Sequence, residues 1–87
     1  MALEEDFASA QTRVRGLART PDSSELLELY ALYKQGSGGD VQGSRPGMLD
    51  FKGRAKYDAW AGKKGIARDA AQKAYVELVG KLAAKYS

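Results

Sequence analysis

The sequence predicts an all-α fold of four helices, and three observations support that fold class. Four segments carry apolar residues at every third or fourth position, which is the spacing of one helical face. The stretches between those segments hold both prolines and most of the ten glycines. No stretch alternates apolar and polar residues with a period of two over the length of a strand. At 87 residues, the chain is expected to form a single domain, residues 1–87.

The first helix is predicted over residues 3–17. Acidic residues follow its start and Arg15 lies one turn from its end, so both ends suit the helix dipole. We expect its apolar face to enter the core, since that face repeats over four turns. The face comprises Leu3, Phe7, Ala10, Val14 and Leu17.

The second helix is predicted to begin at a cap, Asp22 or Ser23, just after Pro21, and to run to residue 35. Apolar side chains lie on more than one of its faces. The helix should therefore either pack on two sides or carry an apolar ligand, and the sequence leaves both open. These apolar residues are Leu26, Leu27, Leu29, Tyr30, Leu32 and Tyr33.

One face of the second helix is a candidate binding surface. Tyr30, Tyr33 and Lys34 stand at positions i, i+3 and i+4, so two aromatic rings lie beside an ammonium group. Such rings can stack on a nucleobase, and the phenol and ammonium groups can donate to phosphate. The alternative is a pair of core tyrosines beside a solvated lysine, and the spacing alone does not choose.

A glycine-rich connection is predicted over residues 36–43 and continues to residue 47. It lacks the preceding strand and the following Gly-Lys-Ser/Thr of a phosphate-binding loop, so a flexible linker is the better interpretation. The third helix is predicted over residues 50–61. Its Lys52 and Lys56 stand four residues apart and repel unless an anion lies between them; a solvated basic face is the alternative.

Further expectations concern the third and fourth helices. Tyr57 and Trp60 are interpreted as bulky core anchors, and Asp58 as the partner of Arg54 one turn earlier. The fourth helix is predicted over residues 67–86, with Gly80 allowing a close helix approach. Its apolar stripe, which should face the core, comprises Ala71, Ala74, Tyr75, Leu78, Val79, Leu82 and Tyr86.

The composition excludes several kinds of chemistry. The chain has no cysteine and no histidine, which removes disulfides, Cys/His zinc sites, thiol nucleophiles and the usual general base. No other side chains converge on a reaction, so we expect neither an enzyme nor a metal site. The N-terminus does not resemble a signal peptide and no apolar run could span a membrane, so a soluble cytoplasmic protein is expected.

The net charge of +3 is unevenly distributed, because residues 61–87 carry six basic and two acidic side chains. A basic second half suggests an anionic partner, and nucleic acid, phospholipid and phosphorylated metabolites all remain open on this ground.

Two long motifs resemble the acyl-CoA-binding protein family. They are YALYKQ, from Tyr30, and RPGMLDFKGRAKYDAW, from Arg45. The resemblance extends over essentially the whole chain and implies an up-down-down-up bundle of four helices that carries long-chain acyl-CoA esters. The chain departs from the family at Thr20, Gln11 and Tyr57, where a basic residue, a small residue and tryptophan are more usual.

The resemblance also implies a ligand site. Tyr30, Lys34 and Lys56 would surround the nucleotide 3′-phosphate, and Tyr33 would lie against the adenine. The apolar face of the second helix, with Met48 from the nearby loop, would line the acyl groove. The full set of ligand-binding residues implied in this way is Arg15, Leu26, Leu27, Tyr30, Ala31, Leu32, Tyr33, Lys34, Lys52, Lys56 and Tyr75.

Taken together, the residues and the resemblance predict a monomeric cytoplasmic carrier and pool former for medium- to long-chain fatty acyl-CoA. It would need no cofactor, bind no nucleic acid and make no stable membrane insertion. The alternative is a small basic nucleic-acid-binding module, against which the absence of a clustered basic recognition helix counts. A protein-interaction bundle is a third hypothesis, with no residue pattern to support it.

Overall fold

A computed structural model describes residues 2–86 and contains four helices: α1 (Leu3–Arg15), α2 (Ser23–Gly38), α3 (Phe51–Ala61) and α4 (Arg68–Lys85). That part of the chain contains no strand, so the predicted all-α class is confirmed. Within residues 2–86, no helix has both the length and the apolar composition that crossing a bilayer requires.

Contacts between helix ends fix the direction of α1, α2 and α4. The Arg19 guanidinium, just after α1, donates to the backbone carbonyl of Lys85 at the end of α4. The ends of α1 and α4 therefore lie together, and the two helices run the same way. Gln72 near the start of α4 donates to the carbonyl of Gly36 near the end of α2, so α2 runs in the opposite direction.

The third helix packs against α2 and runs parallel to it. Lys56, in the middle of α3, stands over the ring of Tyr30 in the middle of α2, and Trp60 near the end of α3 lies under Lys34. Parallel neighbours need a connection that returns along their length, which residues 39–50 provide. The order is up-down-down-up, as the resemblance implies.

Side-chain hydrogen bonds cap the N-termini of α2 and α3, two of the helices that line the candidate site. Asp22 caps α2 by accepting from the Glu25 amide at 2.9 Å, while Glu25 accepts from the Asp22 amide at 3.0 Å. This reciprocal pair is a capping box, and it decides between the two predicted caps. Asp50 caps α3 by accepting from the Gly53 amide at 2.9 Å.

The core lies between α1, α2 and α4. Apart from Leu3, the stripes predicted for α1 and α4 face it, and Val14, Leu17, Ala74 and Leu78 pack against its edge. The helix α3 contributes no buried residue, so the core belongs to three helices only. The buried apolar residues are Phe7, Ala10, Leu29, Ala31, Leu32, Ala71, Tyr75, Val79 and Leu82.

The predicted flexible linker is wrong for residues 36–38, because α2 continues to Gly38. Gly36 is buried where α2 meets α4 and α1: a Cβ there would lie 2.9 Å from the Cγ of Gln72 and 3.2 Å from the Cζ of Phe7. The close approach expected at Gly80 is also wrong, since a Cβ at that position would meet nothing within 4 Å. The chain turns at Gly39, whose φ of 80° suits glycine.

Hydrogen bonds tie the returning connection to the rest of the molecule. The buried side chain of Gln35 donates at 2.8 Å to both the Asp40 carboxylate and the backbone carbonyl of Ile66. The same Asp40 oxygen accepts from the Gly65 amide at 2.9 Å. These bonds hold the pKa of the Asp40 carboxyl below its ordinary value, the Gly65 amide having the largest effect.

Two aromatic residues of α3, Tyr57 and Trp60, hold this connection and do not enter the core. Trp60 Nε1 donates to the Gly39 carbonyl at 2.8 Å, and the Tyr57 hydroxyl donates to the Gly43 carbonyl at 3.0 Å. Both rings are half-buried, so their interpretation as core anchors is wrong. The expected partner of Asp58 is wrong as well: its carboxylate accepts two bonds from Arg45, at 2.9 and 2.7 Å.

Candidate functional site

Two cavities adjoin α2, and Leu26 and Tyr30 line both of them. The first has a volume of about 440 Å³ and lies between α1, the α1–α2 loop and α2, with one residue of α4 at its wall. Its lining residues are Gln11, Val14, Arg15, Leu17, Arg19, Thr20, Pro21, Leu26, Leu29, Tyr30, Tyr33 and Tyr75.

Aromatic rings form one wall of the first cavity. Tyr33 and Tyr75 line it with ring centroids 6.5 Å apart, and Phe7 packs behind both, edge-on to Tyr75 at 5.2 Å. The Tyr33 side chain remains partly exposed, at 38%, while Tyr75 is buried. An aromatic wall with an open face can receive a planar ring by stacking.

The same cavity carries positive charge and a phenol donor. Arg15 and Arg19 line it from the end of α1 and from the following loop. Burial raises the pKa of the Tyr75 hydroxyl, and the nearby Arg15 opposes that shift. The phenol therefore stays protonated at neutral pH and can donate a hydrogen bond to an anion beside the arginine.

Arg19 is held in place from the far end of the chain. Its guanidinium donates to the Lys85 carbonyl at 3.1 Å and lies 5.5 Å from the centroid of the Tyr86 ring. Lys85 and Tyr86 in turn bind the carboxylate of Glu25, which lowers the pKa of Glu25, with Tyr86 the larger cause. The end of α4 thus fixes the loop that closes one side of the first cavity.

The second cavity has a volume of about 280 Å³ and lies between α2 and α3. Leu26, Leu27 and Ala55 make it apolar, while Lys52 and Lys56 border it from α3. The Lys56 ammonium lies 5.4 Å from the centroid of the Tyr30 ring, at the boundary between the two cavities. A ligand that crosses this boundary would meet a cation there and an apolar groove beyond it.

The structure brings together eight of the eleven residues in the predicted ligand set. Ala31 and Leu32 line neither cavity, because Ala31 is completely buried and Leu32 belongs to the core. Lys34 also lines neither: its ammonium lies over the Trp60 ring, 4.7 Å from the centroid. The eight that line a cavity are Arg15, Leu26, Leu27, Tyr30, Tyr33, Lys52, Lys56 and Tyr75.

Reasoning from the sequence missed several lining residues. The most informative is Arg19, whose position in a loop before Pro21 gave no periodic signal. Ala55 could have been found, since it stands three residues after Lys52 and so shares its helical face. Met48, expected beside the acyl groove, lines neither cavity and is 78% exposed.

Comparison with protein families matches residues 4–79 to the family model described as acyl CoA binding protein. Two similar relatives are an acyl-CoA-binding protein homolog 1 of Caenorhabditis elegans and an acyl-CoA-binding protein homolog of Manduca sexta. The first is 55% identical over 80 residues, covering 92% of this chain and 93% of the relative. The second is 51% identical over 85 residues, covering 97% and 94%.

Solved structures show the same architecture. The crystal structure of Oryza sativa acyl-CoA-binding protein 2 aligns with a TM-score of 0.92 at 33% identity, covering 97% of this chain and 93% of the other. The solution structure of the yeast acyl coenzyme A binding protein aligns with a TM-score of 0.70 at 44% identity, with the same coverage. Both likenesses extend over nearly the full length of each chain.

Proposed function

This chain belongs to the acyl-CoA-binding protein family, and on that premise we propose how its two cavities hold an acyl-CoA ester. The protein binds and carries acyl-CoA. We assign the nucleotide headgroup to the first cavity and the boundary at Tyr30, and the acyl chain to the second. The observation that carries this assignment is the contrast between two adjoining cavities, one aromatic and cationic, the other apolar.

The first cavity suits the nucleotide part of the ligand. An adenine ring fits against the partly exposed face of Tyr33, with Tyr75 at the same wall. Arg15 and the Tyr75 hydroxyl can donate to a phosphate, and a charge-assisted hydrogen bond of this kind is about twice as strong as a neutral one. Arg19, from the loop, adds a second guanidinium to the same cavity.

Lys56 is placed to join the two parts of the site. Its ammonium lies over Tyr30, which lines both cavities, so a phosphate at the boundary can replace the weak contact with the ring. Lys52, one turn earlier on α3, borders the apolar cavity and can approach the same anion. A bound phosphate would also relieve the repulsion between these lysines.

Lys34 has a different starting position. Its ammonium lies over Trp60 outside both cavities, so it must leave that ring to contact the ligand. We therefore propose that Lys34 contributes less to affinity than Lys56, although the resemblance gives both a place around the 3′-phosphate. Ala31 and Leu32 are proposed to support the site from the core without touching the ligand.

The second cavity suits an alkyl chain. Each methylene buried in an apolar groove contributes about 0.8 kcal/mol, so affinity should rise with chain length until the groove is filled. We propose medium- to long-chain esters as the cargo, held by a monomer that acts in the cytoplasm as a carrier and pool former and not as a catalyst. Two of the three basic residues of α3, Lys52 and Lys56, border an apolar groove, which counts against the nucleic-acid alternative.

Calorimetric titration with free CoA and with CoA esters of rising chain length tests this assignment. We expect affinity to rise with chain length in the wild type. We expect Lys56→Ala to weaken binding by about 1.5–3 kcal/mol, the contribution of a hydrogen bond to a charged group. Lys34→Ala should have a smaller effect, since its ammonium gives up its contact with Trp60 on binding.

Lys81→Ala is the matched control, because Lys81 is an exposed lysine of α4 that lines neither cavity. Its affinity should equal that of the wild type. Failure of every long-chain ester to bind would contradict the function, whereas unchanged binding by Lys56→Ala would contradict only the proposed position of the phosphate.

A further inference from the structure

The end of α4 lies outside both cavities but contacts a residue that lines the first one. Arg19, in the loop after α1, donates to the Lys85 carbonyl at 3.1 Å, and its guanidinium stands 5.5 Å from the centroid of the Tyr86 ring. Neither Lys85 nor Tyr86 lines a cavity. The last carbonyls of a helix lack partners within it and carry its negative dipole end, so a guanidinium is well placed there.

Glu25, at the start of α2, anchors this helix end. Its carboxylate accepts from the Lys85 ammonium at 2.9 Å and from the Tyr86 hydroxyl, and the Glu25 side chain is only 18% exposed. The carboxylate also accepts from the Asp22 amide, as half of the capping box. A capped helix start therefore fixes the two residues that in turn hold Arg19. We call Glu25, Lys85 and Tyr86 the α4 clamp.

The clamp gives Arg19 a defined position that its own segment does not impose. Arg19 is exposed and lies in a loop, and an arginine side chain loses considerable rotamer entropy when it binds an anion. Contacts that fix the side chain on folding reduce the entropy that is lost later, on binding. The bond to Lys85 engages one N–H of the guanidinium, and the group carries several, so others can donate to an anion in the first cavity.

We propose that the α4 clamp sets the affinity for the CoA headgroup by holding Arg19 in position to donate to a phosphate. Glu25 and Tyr86 are then positioning residues, which act on a ligand that they do not touch. This role rests on the proposed function, which places the headgroup in the first cavity. Because no clamp residue lines the apolar cavity, the clamp acts on the headgroup alone.

A clamp that only joined two helix ends would behave differently. It would stabilise the fold, but the folded protein would bind its ligand equally well with or without it. Positioning through Arg19 instead makes the clamp matter for affinity only while the guanidinium is present. A double-mutant cycle separates the two roles, because residues that act through one contact give losses that do not add.

Calorimetric titration of the full chain with free CoA and with a long-chain CoA ester tests this role. Arg19→Gln should bind both ligands about tenfold more weakly than the wild type, because a charged donor to phosphate is lost. Tyr86→Leu removes the ring near the guanidinium and the hydroxyl bonded to Glu25, yet keeps apolar bulk against the core. It should weaken binding of both ligands by about threefold to fivefold. In the Arg19→Gln background, the same change should alter affinity by less than about twofold.

Arg13→Gln is the matched control, because it makes the same substitution at an exposed arginine of α1 that lines neither cavity. It should bind both ligands as the wild type does. Glu25→Gln is a second way to loosen the clamp and decides the matter if Tyr86→Leu does not fold. It keeps an acceptor for the capping box but loses the ion pair with Lys85. Its loss should be about threefold and should disappear without the Arg19 guanidinium.

Several results would overturn the positioning role. Unchanged affinity in Arg19→Gln, or in both Tyr86→Leu and Glu25→Gln, would refute it, and so would clamp losses that add to the loss from Arg19→Gln. A loss that grew with acyl chain length would refute it as well, since the effect would then lie in the apolar cavity. Failure of the wild type to bind any long-chain ester would instead contradict the proposed function itself.

Discussion

Two regions of this small protein are stabilised by different forces. The helices α1, α2 and α4 enclose a core of buried apolar side chains. The helix α3 and the connection before it, residues 39–61, contribute no buried apolar residue to that core, and we call them the α3 module. A hydrogen bond from Gln35 to Asp40 and two cation–π contacts attach the module to α2. Hydrogen bonds and the Arg45–Asp58 ion pair hold the module itself together.

The contrast bears on how each region moves. Burying apolar surface stabilises the folded state by about 25 cal/mol for each Å², whereas an exposed ion pair stabilises it by about 0–1 kcal/mol. Arg45 and Asp58 are both about half exposed, and Lys63 bridges to a Glu28 that is similarly open. The α3 module should therefore open locally at a lower free energy than the whole molecule unfolds.

The proposed ligand site lies across this division. The first cavity is built on core helices, whereas one wall of the second is α3. A carrier must admit and release a long alkyl chain, and a wall that opens without loss of the core would allow this.

The largest effect is expected in the core. Leu82 is 2% exposed, and Leu82→Ala should lower the free energy of unfolding by about 2–5 kcal/mol, because it removes buried methyl groups and leaves a cavity. Chemical denaturation followed by far-ultraviolet circular dichroism measures this loss. Phe51→Ala, which removes a larger but exposed side chain from α3, is the matched control and should change stability by less than about 0.5 kcal/mol.

Hydrogen exchange in the Leu82→Ala variant tests whether the two regions open separately. Amides of the core helices should exchange faster, since they open through global unfolding. Amides of the α3 module should keep their rates, because the contacts of Leu82 persist while only the module is open. Equal acceleration in both regions would show that the module does not open separately.

The sequence predicted the core helices well because their signal is local. In α1 and α4, Phe7, Tyr75 and Val79 fall at the helical period of a single apolar face, so pattern alone places them in the interior. Eight of the eleven residues predicted as ligand-binding line one of the two cavities, but it was the resemblance to a family that supplied that set. The spacing of Tyr30, Tyr33 and Lys34 left both a core role and a binding role open.

The α3 module was predicted less well because its contacts join residues distant in the chain. Tyr57 and Trp60 bond to carbonyls 14 and 21 residues earlier, and Arg45 reaches Asp58 across 13 residues. The period of one helix carries no information about such partners, so a local pair with Arg54 was the natural expectation. Gly36 was assigned to a linker for the same reason: its close neighbour Gln72 is visible only in the folded chain.

A smaller effect is expected from Trp60→Phe. The change removes the hydrogen bond from Nε1 to the Gly39 carbonyl and weakens the cation–π contact with Lys34. Together these should lower the free energy of opening the α3 module by about 1–2 kcal/mol. Hydrogen exchange should show this as protection of α3 amides reduced by about 5–30-fold.

The wild type supplies the reference for that experiment. Its α3 amides should already exchange faster than those of α4 under native conditions, since the module has its own opening. Identical protection of the two helices in the wild type would contradict the division into two regions, whatever the variant shows.

The smallest effect is expected from acid, and it too should distinguish the regions. The Arg45 guanidinium holds the pKa of Asp58 below its ordinary value, and the Gly65 amide does the same for Asp40. A carboxylate whose pKa is lower when folded adds stability above its ordinary pKa, and this is lost as the pH falls through the folded value. Glu25, which joins the start of α2 to the end of α4, also has a lowered pKa. Acid below about pH 4 should therefore reduce protection in two places, the α3 module and the start of α2.

Two variants isolate the Asp58 contribution to that acid response. Asp58→Asn removes the titrating group, and Arg45→Met removes the cation that lowers its pKa. Each should leave the α3 amides less protected at neutral pH and less sensitive to acid than in the wild type, and the double variant should resemble either single one, because both break the same bond. Protection measured by hydrogen exchange across the acid range checks this.

Glu25 provides an internal control, because it bonds to the end of α4 and also has a lowered pKa. Amide protection at the start of α2 should therefore keep its acid response in both variants. If that response disappeared along with the response of α3, the two regions would titrate as one unit, and the separation between core and module would fail.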